Sequence, residues 1–260
     1  MKLKDKVCII TGGSKGIGLG CSKVFAKYGA VVIISARNPK DGDAAVNGIT
    51  ATGGNAEFVA CDVTNDQQMK QLIDGTAAKH GRLDCIVNNA GWHPPAMSID
   101  DTSLEDFENL LRLNLTSTFL GCKYAVPHLR KTKGNIVNMS SAVALMGQAR
   151  AASYVTTKAG QIGMTKALAL DLIREGIRVN AVCPSSVLTP LMEQWAATEH
   201  DPAAALKAVE ATQPAGRMAT IEEMGEVCAF LASDEASYIT GQAIAAEAGA
   251  MLGYGVKFAG

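Results

Sequence analysis

Short apolar runs rich in β-branched residues recur at 7–10, 31–35, 56–60, 83–88, 134–140, 177–183 and 243–246, each separated from the next by a longer stretch of helical period. Strands covered on both faces read as continuous apolar runs, and strands that alternate with helices run parallel, because each crossover returns the chain to the same edge. The pattern predicts an α/β fold: a doubly wound parallel sheet with helices on both faces. Gly53-Gly54-Asn55, His80-Gly81-Arg82, Lys133-Gly134-Asn135 and Glu175-Gly176 mark turns before the third to sixth strands. With 260 residues and 48% hydrophobic content, the chain can bury one large core. No linker, repeat or low-complexity stretch divides it, so 1–260 is expected to be one domain.

The first strand runs into Thr11-Gly12-Gly13-Ser14-Lys15-Gly16-Ile17-Gly18, and an amphipathic stretch opens directly after it. Glycines there permit a tight turn and let backbone N–H groups approach a pyrophosphate at the positive end of a helix. A strand, a glycine turn and a helix in that order predict a Rossmann-type dinucleotide site. A second constellation lies in Ser153-Tyr154-Val155-Thr156-Thr157-Lys158, with Ser141 thirteen residues before the tyrosine. Tyr154 and Lys158, four residues apart on a helix, share one face, where an ammonium can lower a phenol pKa from its usual ~10. Such a phenol can exchange a proton with an alcohol near neutral pH.

Together these motifs resemble the short-chain dehydrogenase/reductase family over nearly the whole chain. Cys61-Asp62-Val63-Thr64, Asn88-Asn89-Ala90-Gly91, Leu113-Asn114-Leu115, the sixth-strand run Arg178 to Pro184, and Thr189-Pro190 fall in the family order. The resemblance implies an enzyme interconverting a secondary alcohol and a ketone. Ser141 would hydrogen-bond the reacting oxygen, and Tyr154 would exchange its proton. Lys158 would tune the tyrosine and hold the nicotinamide ribose, while Asn114 would keep a relay water. Cofactor contacts implied in the same way are Gly12, Ser14, Lys15, Gly16, Ile17, Gly18, Arg37, Asp62, Val63, Asn89, Ala90, Gly91, Tyr154, Lys158, Pro184, Val187 and Thr189.

Variable segments, among them Gly91-Trp92-His93-Pro94-Pro95, Gly147-Gln148, Gln213 to Met218 and the tail Leu252 to Lys257, resemble the type 14 group of 17β-hydroxysteroid dehydrogenases within that family. The likeness implies a steroid 17β-hydroxyl or a similar hydrophobic alcohol as substrate. His93, Ser141, Gln148 and Tyr154 would meet its polar end, under an apolar cover of Leu191, Met192 and Trp195. The alternatives are an L-fucose-like sugar dehydrogenase, a 3-oxoacyl reductase, or a non-catalytic dinucleotide-binding redox sensor.

Three departures bear on these implications. Pro184-Ser185 stands for the family Pro-Gly, Glu247-Ala248-Gly249 for Asp-Gly-Gly, and Ser35-Ala36-Arg37 lacks the aspartate that grips an adenosine 2′-hydroxyl. Without that carboxylate a 2′-phosphate is not repelled. Arg37 and Lys15 can grip it, so NADP(H) is expected over NAD(H).

Lys plus Arg number 24 against 25 Asp plus Glu, a net charge of −1 that offers no field for nucleic acid or an anionic membrane. The charged start Met1 to Lys6 reads as no signal peptide, and no apolar run is long enough to span a bilayer, which together suggest a cytoplasmic protein. Cysteines 8, 21, 61, 85, 122, 183 and 228 are dispersed and read as reduced, buried thiols. Histidines 80, 93, 128 and 200 are scattered, so no metal site is expected. The expected partners are a small-molecule substrate and further copies of the chain in a homotetramer. The proline-punctuated stretch 184–215, with one amphipathic piece at 191–209, is expected to form a substrate lid.

Overall fold

A computed structural model describes residues 1–252; the tail stretch 253–257, which carries part of the resemblance, lies outside the described residues. The order of elements is β1 (Val7–Thr11), α1 (Gly16–Lys27), β2 (Val31–Ala36), α2 (Pro39–Thr50), β3 (Asn55–Ala60), α3 (Asp66–His80) and β4 (Cys85–Asn88). There follow α4 (Leu104–Leu111), a π-turn (Arg112–Thr116), α5 (Ser117–Thr132), β5 (Asn135–Met139), α6 (Val143–Met146), α7 (Ala152–Leu172) and β6 (Arg178–Pro184). The last are α8 (Pro190–Ala196), α9 (Pro202–Ala211), α10 (Ile221–Ala232) and β7 (Ala243–Ala246).

The strands form one parallel sheet in the order β3-β2-β1-β4-β5-β6-β7. Each falls on an apolar run of the sequence to within two residues. Because successive strand residues point to opposite faces, Cys8 and Ile10 enter one core with Phe25, Ile49 and Cys228, from α1, α2 and α10. Val7 and Ile9 enter the other, with Ile73, Leu129 and Leu172 from α3, α5 and α7. All seven cysteines are buried and free, most of them as part of this packing.

The order reverses between β1 and β4, so the crossovers from these strands leave toward opposite sides. The crevice at such a switch point is where open α/β sheets take ligands. The turns after β1, β4, β5 and β6, which carry the motifs, all lie at that edge.

The stretch 191–209 is not continuous. It forms α8 and α9, each opened by a proline at its first position and a capping side chain: Thr189 accepts from the Met192 N–H, and Asp201 from the Ala203 and Ala204 N–H groups. Asp201-Pro202 is a cap followed by a residue that favours the first helical position, a local start signal that overrides the shared amphipathic pattern. Among the described residues no helix is long and apolar enough to cross a membrane. Nor do three His, Cys, Asp or Glu side chains gather there as a metal would require.

Candidate active site

The glycine turn and the turn after β4 are locked together. Asn89 and Ala90 N–H groups donate to Thr11 Oγ1 at 2.9 and 3.1 Å, and Asn89 Nδ2 donates to the Thr11 carbonyl at 2.9 Å. Only glycine fits here: a Cβ on Gly18 would stand 2.1 Å from the Gly12 carbonyl oxygen, and Gly12 holds a φ of +64°. The first turn of α1 has neither a side-chain cap nor an acidic residue. Its N–H groups therefore remain available to phosphate oxygens, which is the fit a dinucleotide requires. Thr189 comes within 3.6 Å of the position a Cβ on Gly16 would take, bringing the start of α8 over the glycine turn.

Of the remaining expected cofactor contacts, Ser14 and Ile17 are half-buried in the turn and Gly91 is exposed. Gly91 nonetheless borders the interior of the site, since a Cβ there would lie 3.6 Å from Lys158 Nζ. Val63 and Val187 are buried, the latter paired with Ala219 in an isolated bridge. The Pro184 carbonyl accepts from the Ala142 N–H at 2.8 Å, which joins the ends of β5 and β6. Asp62 accepts from the backbone and side chain of Thr64, and these bonds, with a smaller contribution from Arg37, hold its carboxyl below the usual range. Arg37 is exposed. Lys15 is not free: its ammonium sits 2.8 Å from Asp41 Oδ2, a carboxylate in the first turn of α2.

Ser141, Tyr154 and Lys158, the residues expected to move a proton, lie near one another. Burial pushes the Tyr154 phenol up to about 12, and the nearby Ser141 hydroxyl opposes this only in part. Lys158 is buried, and burial brings its amine down to about 8. Its Nζ donates to the Met139 carbonyl at 2.7 Å and lies 5.7 Å from the Tyr154 ring centroid. The Lys158 ammonium is directed at the strand-end carbonyl of β5.

Asn114, in the π-turn, is fully buried. Its side chain accepts from the Trp92 N–H and donates to the Trp92 carbonyl, both at 2.9 Å, and also donates to Thr157 Oγ1 at 3.1 Å. An amide that matches both backbone groups of one residue acts as a strand partner and fixes the segment 91–93. His93, carried by that segment, stacks on Tyr154 with ring centroids 4.1 Å apart. Its Nδ1 lies 2.7 Å from the Pro94 carbonyl oxygen and its Nε2 lies 3.1 Å from Gln148 Oε1. His93, Gln148, Ser141 and Tyr154 therefore meet. Leu191 and Trp195, on α8, remain 38% and 40% exposed, so neither belongs to the core.

The departure at Ser185 has a structural partner. Its hydroxyl donates to Gln213 Oε1 at 2.7 Å, tying the two ends of the 184–215 segment together. Sequence reasoning singled out neither this pair nor Asp41, Thr157 and Gln161. The role of each depends on a partner distant in the chain, which local pattern does not show.

Comparison with known proteins adds to this geometry. A family model described as enoyl-(acyl carrier protein) reductase matches residues 12–251. The L-fucose dehydrogenase of Bos taurus is 44% identical over 252 residues, covering 97% of this chain and 92% of that protein. The 3-oxoacyl-[acyl-carrier-protein] reductase of Thermotoga maritima is 37% identical over 253 residues, covering 97% of this chain and 100% of that one. Among solved structures, that of the Cj0485 dehydrogenase superposes with a TM-score of 0.92 at 33% identity, covering 99% of both chains.

Proposed function

Because the chain belongs to the short-chain dehydrogenase/reductase family and is an oxidoreductase, we propose that it oxidises a hydroxyl of a small sugar of the L-fucose type, using NADP(H). The observation that carries the substrate class is the contact of His93 with Gln148 directly over Tyr154. A neutral imidazole donates through one nitrogen only. The imidazole and the Gln148 amide thus place hydrogen-bonding groups at the rim beside Tyr154, where a second hydroxyl of the substrate can meet them. A molecule with several neighbouring hydroxyls satisfies this polar rim, and a substrate with one hydroxyl on an apolar body leaves it unmet. The relatives named L-fucose dehydrogenase support the same reading.

A bound nicotinamide dinucleotide supplies the hydride acceptor. Ser141 donates to the reacting oxygen, and Tyr154, once it has released its own phenol proton to solvent, takes the hydroxyl proton as the carbon gives up its hydride. Asn114 keeps the segment 91–93 in place, and Lys158 sits behind the phenol, within reach of a ribose at Gly91. Gly12, Ser14, Gly16, Ile17 and Gly18 cradle the pyrophosphate, while Asp62, Val63, Asn89, Ala90, Pro184, Val187 and Thr189 complete the cofactor cleft. Arg37, exposed and next to Ala36, takes the 2′-phosphate.

A steroid or similar hydrophobic alcohol is the second reading, favoured by the half-exposed Leu191 and Trp195 on α8. Under either reading 184–215 acts as the lid. The chain assembles as a homotetramer through α4, α5 and α7, which leave Leu104, Phe119 and Leu170 exposed. Light scattering should then give about four times the 27.1 kDa of one chain, and a monomer mass contradicts it. Oxidation rates for L-fucose, other aldoses, estradiol and a 3-hydroxyacyl thioester, each with NADP+ and NAD+, test the proposal. Activity on estradiol with none on any aldose would reverse the order of the two readings.

A further inference from the structure

Gln161 lies one turn beyond Lys158 on α7 and is fully buried. Its Nε2 donates to the main-chain carbonyl of Asn114 at 2.9 Å and to Thr118 Oγ1 at 2.8 Å, and the Thr118 hydroxyl donates to that same carbonyl at 2.9 Å. Gln161 Oε1 has no hydrogen-bond partner among the described residues. A buried amide with an unmet oxygen is less favourable than an apolar side chain of the same shape. Stability alone gives no reason for a glutamine at this position.

What the amide holds does give one. Asn114 is gripped by α7 twice, at its side chain by Thr157 and at its carbonyl by Gln161. A residue fixed at both ends cannot turn its side-chain amide away from Trp92, and Trp92 precedes His93. We propose that Gln161 is a positioning residue: through Asn114 and Trp92 it sets where His93 stands against Tyr154. The consequence for catalysis rests on the reading that His93 meets the substrate; the consequence for Trp92 does not.

Gln161→Met keeps the shape and removes both the donor and the orphaned oxygen. Its unfolding temperature should equal or exceed that of the unaltered protein. The KM for substrate should rise about fivefold to tenfold with nucleotide affinity unchanged, and this rise should vanish in a His93→Ala background, because residues acting through one contact are not additive. With Trp195→Phe as background, Trp92 is the sole tryptophan, and its emission should shift on Gln161→Met. Should Gln161→Met fail to fold, Thr118→Val removes the other hydrogen bond to the same carbonyl and should show the same dependence on His93.

An unchanged KM, or a rise of equal size with and without His93, overturns the proposal. If L-fucose is not oxidised, the kinetic arm uses whichever secondary alcohol is. If none is oxidised, an unshifted Trp92 emission is the overturning result.

Discussion

The imidazole of His93 lies over the Tyr154 ring, with centroids 4.1 Å apart and planes inclined by 48°. The stack joins the group proposed to move the proton to the one proposed to read the neighbouring hydroxyl, so substrate orientation and chemistry are coupled at one contact. His93→Ala should raise the KM for L-fucose about tenfold, the most that one neutral hydrogen bond usually contributes, and leave nucleotide affinity unchanged. Gln148→Leu should act in the same direction. Initial-rate kinetics with saturating nucleotide check both, and an unchanged KM would remove the pair from the substrate site.

Lys158 is a buried charge. Burial brings its amine from the ordinary 10.5 to about 8, so the charged form is disfavoured in the folded protein. Below pH 8 the penalty is fully present. Between about 8 and 10.5 the unfolded chain binds more protons than the folded one, and stability rises with pH. Lys158→Met should therefore be inactive yet more stable at pH 7. The proton penalty is about 3 kcal/mol, and the orphaned Met139 carbonyl offsets about 1 of it, which leaves a gain of about 2 kcal/mol. The gap between the two unfolding curves should close as pH rises from 8 to 10.5. A variant less stable than the unaltered protein at pH 7 would show that the ammonium's bond to Met139 outweighs its burial.

Asp41 holds Lys15 at 2.8 Å and would compete for it with the 2′-phosphate of the proposed cofactor. Both side chains are partly exposed, so the pair itself contributes little, and Asp41→Asn should tighten binding of 2′-AMP by only a few-fold. Arg37→Ala should weaken it about tenfold, the loss of one charge-assisted hydrogen bond screened by solvent. Calorimetry reads both without turnover. Equal affinity for 2′-AMP and 5′-AMP in the unaltered protein would contradict the NADP(H) assignment.

The strands were legible because burial on both faces leaves apolar runs that no helix of this length would carry, and the glycine turn because only glycine tolerates the Gly12–Gly18 approach. Ser141, Tyr154 and Lys158 were legible through their spacing and the resemblance. Local pattern could not give the direction of Lys158, which a carbonyl on β5 decides. Nor could it give the contact of His93 with Gln148, 55 residues apart in sequence, or the hold of Gln161 on the π-turn. The amphipathic pattern at 191–209 runs across Asp201-Pro202, where a cap restarts the chain as a second helix, so the division into α8 and α9 was not visible in that pattern.

Proton transfer to Tyr154 from a sugar hydroxyl is the central claim, and the turnover of L-fucose by Tyr154→Phe beside the unaltered enzyme, with nucleotide affinity measured on both, tests it most directly. General acid–base catalysis contributes at least about 100-fold. The account predicts a loss of kcat of that size or more, with nucleotide affinity within about twofold, since the substitution removes one hydroxyl that the pyrophosphate cradle does not use. Near-normal turnover by Tyr154→Phe would contradict it.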